Sequence, residues 1–314
     1  MSQSVGGIRV RRVVAVLFAI YAVTLAVLRV RGGGVPGVEQ LLLFLFAAAL
    51  FGNRVGRFLR DWSLVLAGIF AYAMTGRFAA GLDAAVHYTP QIDAERAVTF
   101  GSMPTLWLQD HLYRGVTGPL EAFAVVMYLS HFIAPLLLGF YLWWRRSKGF
   151  TELMFTLLVL SIFAEITFVL APTAPPWLAA QHGLMPDVHH ILRQGLFDLH
   201  LDQLGSMVGD SSRYNVVAAF PSLHAAFPIA CLLVALAYKL PRWILIAQAT
   251  QMLGIFFAVI YSGDHYFVDV LGGAVYALAA WAVVHLAFSA GRAQAPSARR
   301  VPATPAPVPV EASS

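Results

Sequence analysis

Two histidines and an aspartate carry the chemistry that this sequence offers. His224 closes "FPSLH" (Phe220–His224), and His265 and Asp269 lie in "YSGDHYFVD" (Tyr261–Asp269). His265 and Asp269 are spaced i, i+4, so on a helix their side chains share a face. A carboxylate that accepts from one imidazole nitrogen fixes the tautomer and leaves the other lone pair free to attack. A second histidine nearby supplies a general acid. Ser222, at the start of a helix, adds unpaired backbone N–H groups and the positive end of a helix dipole, which suit a phosphate oxygen. Each piece alone reads as an ordinary interfacial cap. Their convergence on one membrane face points to a site.

That convergence depends on the elements that carry the residues. The chain has 314 residues, 59% hydrophobic and 12% charged, with a mean hydropathy of +0.71. Runs of about 20 apolar residues read as membrane helices. The expected fold is an all-α integral membrane protein with about eight transmembrane helices, near 11–28, 36–52, 62–79, 120–144, 150–171, 219–238, 242–261 and 266–289. Residues 1–60 form a two-span N-terminal addition, 61–290 a six-helix catalytic membrane domain, and 291–314 a Pro/Ala/Ser-rich disordered tail. The first apolar run follows Arg9, Arg11 and Arg12 and lacks a small-x-small cleavage pattern, so it reads as an uncleaved span. His224 and His265 are 41 positions apart. A helix in, a short basic turn and a helix out take about that many residues at ~1.5 Å of rise each, so both histidines return to one level.

Lysine and arginine placement orients the bundle. Arg9, Arg11 and Arg12, then Arg54, Arg57 and Arg60, then Arg145, Arg146 and Lys148, then Lys239 and Arg242, then Arg292, Arg299 and Arg300 alternate with the long polar stretches 80–118 and 172–217. The positive-inside rule puts both termini in the cytoplasm and the two polar stretches, with the histidine site, on the extracytoplasmic face. The net charge of +5 reflects this loop pattern and implies no nucleic-acid partner. The single Cys231 lies in an apolar run, which excludes a disulfide framework and a cysteine zinc site. His182, His189, His190 and His200 match no metal-ligand spacing, so neither metal nor cofactor is expected. No internal repeat of the transporter kind is evident. In the first polar stretch, "FGSMPTLWLQDHLY" (Phe100–Tyr113) fits an interfacial helix anchored by Trp107 and Tyr113, or equally a loop helix packed on the bundle. His131 and Glu165 are ionisable residues within spans, where a hydrogen bond inside the bundle is the simpler reading and function the sharper one.

"FPSLHAAFP" and "YSGDHYFVDVLGG" resemble the second and third signature motifs of the type 2 phosphatidic acid phosphatase superfamily. "APTAPPW" (Ala171–Trp177) and "FGSMPTLWLQ" resemble its inositol phosphorylceramide synthase branch, with sphingomyelin synthases more distant. The resemblance covers roughly residues 90 to 285. It implies metal-independent transfer through a phosphohistidine. His265 would be the nucleophile, Asp269 its orienter, His224 the acid and then the base, and Ser222 a phosphate ligand. Pro175, Trp177 and Tyr261, within these motifs, become candidate substrate-binding residues.

The phosphatases carry a lysine and an arginine in their first motif and an arginine six residues before the nucleophile. Here the first motif is uncharged and the second position is Val259. A phosphomonoester carries close to two negative charges and a diester one, so fewer cations suit a diester. Arg213 is the candidate remaining cation. The expected function is a lipid phosphotransferase that moves a phosphate-linked headgroup, an inositol phosphate being the candidate, from a membrane phospholipid donor to a lipid or alcohol acceptor. The alternatives are a lipid phosphate phosphatase with water as acceptor and, more remotely, a lipid transporter without catalysis. High Ala, Val, Gly and Arg content points to a GC-rich bacterium, which leaves ceramide open as the acceptor and favours inositol lipids; the expected location is then the bacterial inner membrane. Oligomeric state is not legible.

Overall fold

The computed structural model describes residues 5–32, 34, 37–80, 86–208 and 216–294. These form thirteen helices: α1 (Val5–Arg31), α2 (Val38–Phe51), α3 (Val55–Ala80), α4 (Thr89–Val98), α5 (Pro104–Leu112), α6 (Pro119–Trp144), α7 (Gly149–Leu170), α8 (Pro176–Gln181), α9 (Ile191–Asp198), α10 (Asp202–Met207), α11 (Leu223–Ala237), α12 (Arg242–Tyr261) and α13 (Phe267–Gln294). Each expected span falls on a helix: α1, α2, α3, α6, α7, α11, α12 and α13. Segments of α1, α6, α7, α12 and α13 are long and apolar enough to cross a membrane, and α2 and α11 are apolar but shorter. The protein is an all-α, multi-pass membrane protein. Helices suit that medium because they satisfy their own backbone where no water can.

The polar stretches supply α4 and α5, and α8 to α10. These short helices fold over the end of the bundle where α11 and α13 begin and α12 ends. α11 packs against α6, α7, α12 and α13. Midway along, Ala226, Ala230, Ala277 and Ala280 meet Leu160, Ala164 and Phe168, and such small residues let helices approach closely. At the opposite end, Trp62, Trp143, Phe150, Leu153 and Val234 form an aromatic-rich cluster. Glu152 is fully buried there. It accepts from Tyr238 Oη at 2.7 Å and pairs with His285 Nδ1 at 2.7 Å, tying α7 to the far ends of α11 and α13. Arg54 and Arg57 lie over the Trp144 and Trp143 rings and donate to those residues' carbonyls.

α11 starts later than the apolar run suggests. Pro221 is not in its first turn: Ser222 is the N-cap, and its Oγ accepts from Ala225 N at 3.3 Å. Residues 218–220 are committed elsewhere, because Ala219 N donates to Thr173 O at 3.2 Å and Phe220 N to Thr173 Oγ1 at 2.8 Å. Extended backbone therefore precedes the helix, and α13 presses directly on it. A Cβ at Gly273 would stand 2.4 Å from the Ser222 carbonyl oxygen, and one at Gly272 would stand 2.3 Å from the Phe220 ring.

Gly273→Ala is therefore expected to lower the melting temperature of the purified protein, at an overpacking cost of about 1–3 kcal/mol. Gly56→Ala, where a Cβ meets nothing within 4 Å, is expected to leave it level or raise it. Equal melting of the two variants would contradict the close approach.

Candidate active site

The segment that α13 presses on brings the two histidines together. His265 Nδ1 lies 2.9 Å from the carbonyl oxygen of Ala219. A carbonyl only accepts, so Nδ1 carries the proton and Nε2 holds the lone pair. That Nε2 is 3.2 Å from Nδ1 of His224, which must then be the donor. Both rings are buried. The arrangement is a nucleophilic nitrogen of fixed tautomer facing a proton donor.

Asp269 is fully buried. Its Oδ2 accepts from Tyr266 N at 2.8 Å and stands 3.6 Å from His265 Nδ1. The backbone carbonyl is thus the short partner of the imidazole, and the carboxylate acts on it as a neighbouring charge. Ser222 is also fully buried. Its N–H donates to Asp269 O at 3.0 Å, and its hydroxyl is held by its own helix.

The loops fix these positions through the backbone. Thr173, in the middle of "APTAPPW", bridges in parallel to His87 on one side and Ala218 on the other. Glu95 of α4 is fully buried. Its two oxygens accept from Phe267 N at 3.0 Å and Val268 N at 2.8 Å, capping α13. Burial raises its carboxyl above the usual carboxylate range, opposed by those two amide bonds. Gln109 of α5 donates to His189 O and Tyr261 O at 2.9 Å each, and its Oε1 accepts from His189 N at 2.9 Å. α5 is therefore packed on the bundle, with Leu106 and Leu108 turned into apolar clusters and Trp107 left exposed.

A pocket of about 70 Å³ opens beside the histidines, lined among others by Tyr128, Pro175, Trp177, His190, Asp264 and Leu223. Pro175 and Trp177 thus join His224 and His265. Tyr261 does not line it: the ring is fully buried and its hydroxyl donates to Glu121 Oε1 at 2.5 Å. Arg213 lies outside the described residues. Among the described residues no lysine or arginine lines the pocket. Val259 is fully buried and gives its carbonyl to His265 N at 3.0 Å and Asp264 N at 3.1 Å. Also among the described residues, no three His, Cys, Asp or Glu side chains are grouped as metal ligands.

Two features of the site escape sequence reasoning. His190 Nε2 lies 3.1 Å from Asp264 Oδ1, its ring stacked on Trp177 at 4.5 Å and 4°. Asp264 Oδ2 also accepts from Ser262 Oγ at 2.5 Å. The only sequence signal was the Asp264–His265 dipeptide, since His190 comes from a distant loop. His131, 4.5 Å from the His224 ring, is no partner of Glu165; His131 Nδ1 and Glu165 Oε2 are each buried without a hydrogen bond.

Two predictions follow from this geometry. Glu95→Gln keeps one acceptor but turns an NH₂ toward an amide N–H, so it is expected to destabilise the protein by about 1–2 kcal/mol, like loss of a cap, read by thermal melting. Asp269→Asn leaves the Ala219 carbonyl in place to hold the tautomer. Turnover of the protein's substrate is expected to fall by roughly 10²-fold, well short of the loss in His265→Ala; equal losses would make the carboxylate the principal orienter.

Over residues 92–283 the sequence matches the family described as the PAP2 superfamily. It is similar to the phosphoinositol dihydroceramide synthase of Bacteroides thetaiotaomicron, 35% identical over 170 residues, 51% of this chain and 54% of the relative. It is also similar to the inositol phosphorylceramide synthase of Candida albicans, 30% identical over 173 residues, 52% of this chain and 35% of the relative. The inositol phosphorylceramide synthase catalytic subunit aur1 of Schizosaccharomyces pombe is 28% identical over 169 residues, 49% of this chain and 37% of the relative. The matched region thus spans about half of the bacterial relative and about a third of the fungal ones. No solved structure matches the chain significantly.

Proposed function

The chain belongs to the PAP2 superfamily, and from that premise we propose that it is a lipid phosphotransferase that moves an inositol-phosphate headgroup from a phospholipid to a lipid alcohol through a phosphohistidine. The observation that carries this reading is the 3.2 Å pairing of His265 Nε2 with His224 Nδ1, with the tautomer set by Ala219. The relatives' names, phosphoinositol dihydroceramide synthase and inositol phosphorylceramide synthase, support the choice of headgroup and acceptor.

The steps follow from the two nitrogens. A phosphodiester entering the pocket replaces the contact between the rings. The His265 Nε2 lone pair attacks phosphorus, the P–N bond forms, and the bond to the diacylglycerol oxygen breaks. His224 gives its Nδ1 proton to that oxygen. An acceptor hydroxyl then takes the vacated place, loses its proton to His224 and attacks phosphorus, and the P–N bond breaks to restore His265. As the imidazole gains positive character, the Ala219 carbonyl and the Asp269 carboxylate stabilise it. Pro175 and Trp177 wall the pocket, the N-terminus of α11 and Arg213 are the candidate phosphate partners, and no metal takes part.

The pocket suits one negative charge better than two, because its described lining holds no lysine or arginine. A bacterial inner membrane, with the site on the extracytoplasmic face, agrees with Arg54, Arg57, Arg145, Arg146, Lys148, Lys239 and Arg242, which lie at the bundle end opposite the histidines. Helices α3 to α13 form the catalytic body and α1 and α2 an addition to it; the family match begins at residue 92, inside α4.

The test is purified protein in liposomes given headgroup-labelled phosphatidylinositol and dihydroceramide. Label is expected in the ceramide product, at a rate unchanged by EDTA and lost by at least ~10³-fold in His265→Ala. Release of free phosphate from phosphatidic acid, with no label transferred, would establish a phosphatase instead.

A further inference from the structure

A second cavity, about 240 Å³, lies among α2, α3, α6, α7 and α11. Its walls include Val65, Phe132, Met154, Leu157 and Phe227, with His131 at one side. Leu223, in the first turn of α11, lines both this cavity and the catalytic pocket. The two spaces therefore share a wall at Leu223, next in the chain to His224, one facing the polar loops and the other lying between membrane-spanning helices. His131 is 6% exposed, and its ring packs 4.5 Å from His224 and 4.8 Å from Phe227. Its Nδ1 has no hydrogen-bond partner. A buried imidazole nitrogen without a partner costs free energy that a bound polar group would offset.

We infer that this cavity is the subsite for the lipid alcohol: it takes the hydrocarbon chain, and His131 is the positioning residue for the polar end beside the reacting hydroxyl. The inference rests on the transferase reading for its chemistry. In-line attack by His265 puts the leaving oxygen on the far side of phosphorus, and the acceptor oxygen must later occupy the same place. His224 serves both oxygens, so the chain of either alcohol extends into the space next to His224. The apolar cavity is that space on the bilayer side, and it suits a neutral chain, while the charged headgroup stays toward His190, Asp264 and Trp177.

The test compares long-chain phosphatidylinositol with chainless glycerophosphoinositol as donors. In Gly68→Leu, where a Cβ meets only Leu158 Cδ1 at 3.5 Å and the longer side chain fills the cavity, the ratio of kcat/KM for the two donors is expected to fall about tenfold or more. His131→Phe is expected to lower kcat/KM for both donors, since the glycerol oxygens beside the reacting one are common to them. An unchanged ratio in Gly68→Leu, whatever the absolute rates, overturns the subsite, and unchanged kcat/KM for both donors in His131→Phe overturns the role of His131. A second measurement needs no turnover: a ceramide with a diazirine in its acyl chain is photolysed with wild-type protein in liposomes. Labelling is expected on the α6 and α7 peptides carrying Phe132 and Leu157, and is expected to be lost in Gly68→Leu. Equal labelling there by a diazirine phosphatidylcholine of the same chain length would mark an ordinary bilayer contact and overturn the inference. Absent donor cleavage with cavity labelling intact would sink the proposed reaction and leave the lipid site standing.

Discussion

The carbonyl oxygen of Ala219 has to reach Nδ1 of His265, and the rest of the site follows from that contact. It fixes which nitrogen carries the proton, leaves Nε2 with the free lone pair that the proposed transfer uses, and so makes His224 the donor across a 3.2 Å gap. The contact depends on α13 lying close against the segment that carries Ala219, backbone to backbone at Gly273 and Ser222 and against the Phe220 ring at Gly272. Gly272 and Gly273 make that approach possible, and the Ser222 N–H to Asp269 O bond secures it. Sequence, packing and chemistry meet at a single backbone carbonyl.

The outer layer holds that backbone in place. Thr173 templates residues 217–220 with its amide, carbonyl and hydroxyl. Glu95 caps α13, and Gln109 joins α5 to the end of α12 and to the loop before α9. Each tie satisfies a buried polar group that would otherwise be costly. The result is a polar lid on an apolar bundle whose parts are positioned to within hydrogen-bond distances. The short helices thus act as supports, which explains why "APTAPPW" holds no charge: its central residues serve the backbone.

The two cavities differ by medium. The smaller is lined on the loop side by His190, Asp264 and Trp177, and the larger by residues of α2, α3, α6, α7 and α11 among the spans. Under the proposed transfer, charge and hydroxyl groups belong to the first and hydrocarbon to the second, with Leu223 and His224 between them.

Hydropathy alone located the helices α1, α2, α3, α6, α7, α11, α12 and α13, five of which carry segments long and apolar enough to cross a membrane, because burying apolar side chains and satisfying the backbone in lipid are local demands written along the chain. Helix geometry over 41 residues likewise fixed that His224 and His265 return to one level. The i, i+4 spacing put Asp269 near His265, 3.6 Å from Nδ1, but not on a shared helix face, because His265 lies in the turn before α13 begins at Phe267. The start of α11 was not legible, since Thr173, far away in the chain, claims the backbone that would otherwise have begun the helix. Nor were the His190–Asp264 pair, the burial of the Tyr261 hydroxyl on Glu121, or the place of His131 beside His224. Those depend on how irregular loops cross and how helices rotate about their axes. A sequence constrains such features only through its long-range packing, and tertiary structure alone decided them.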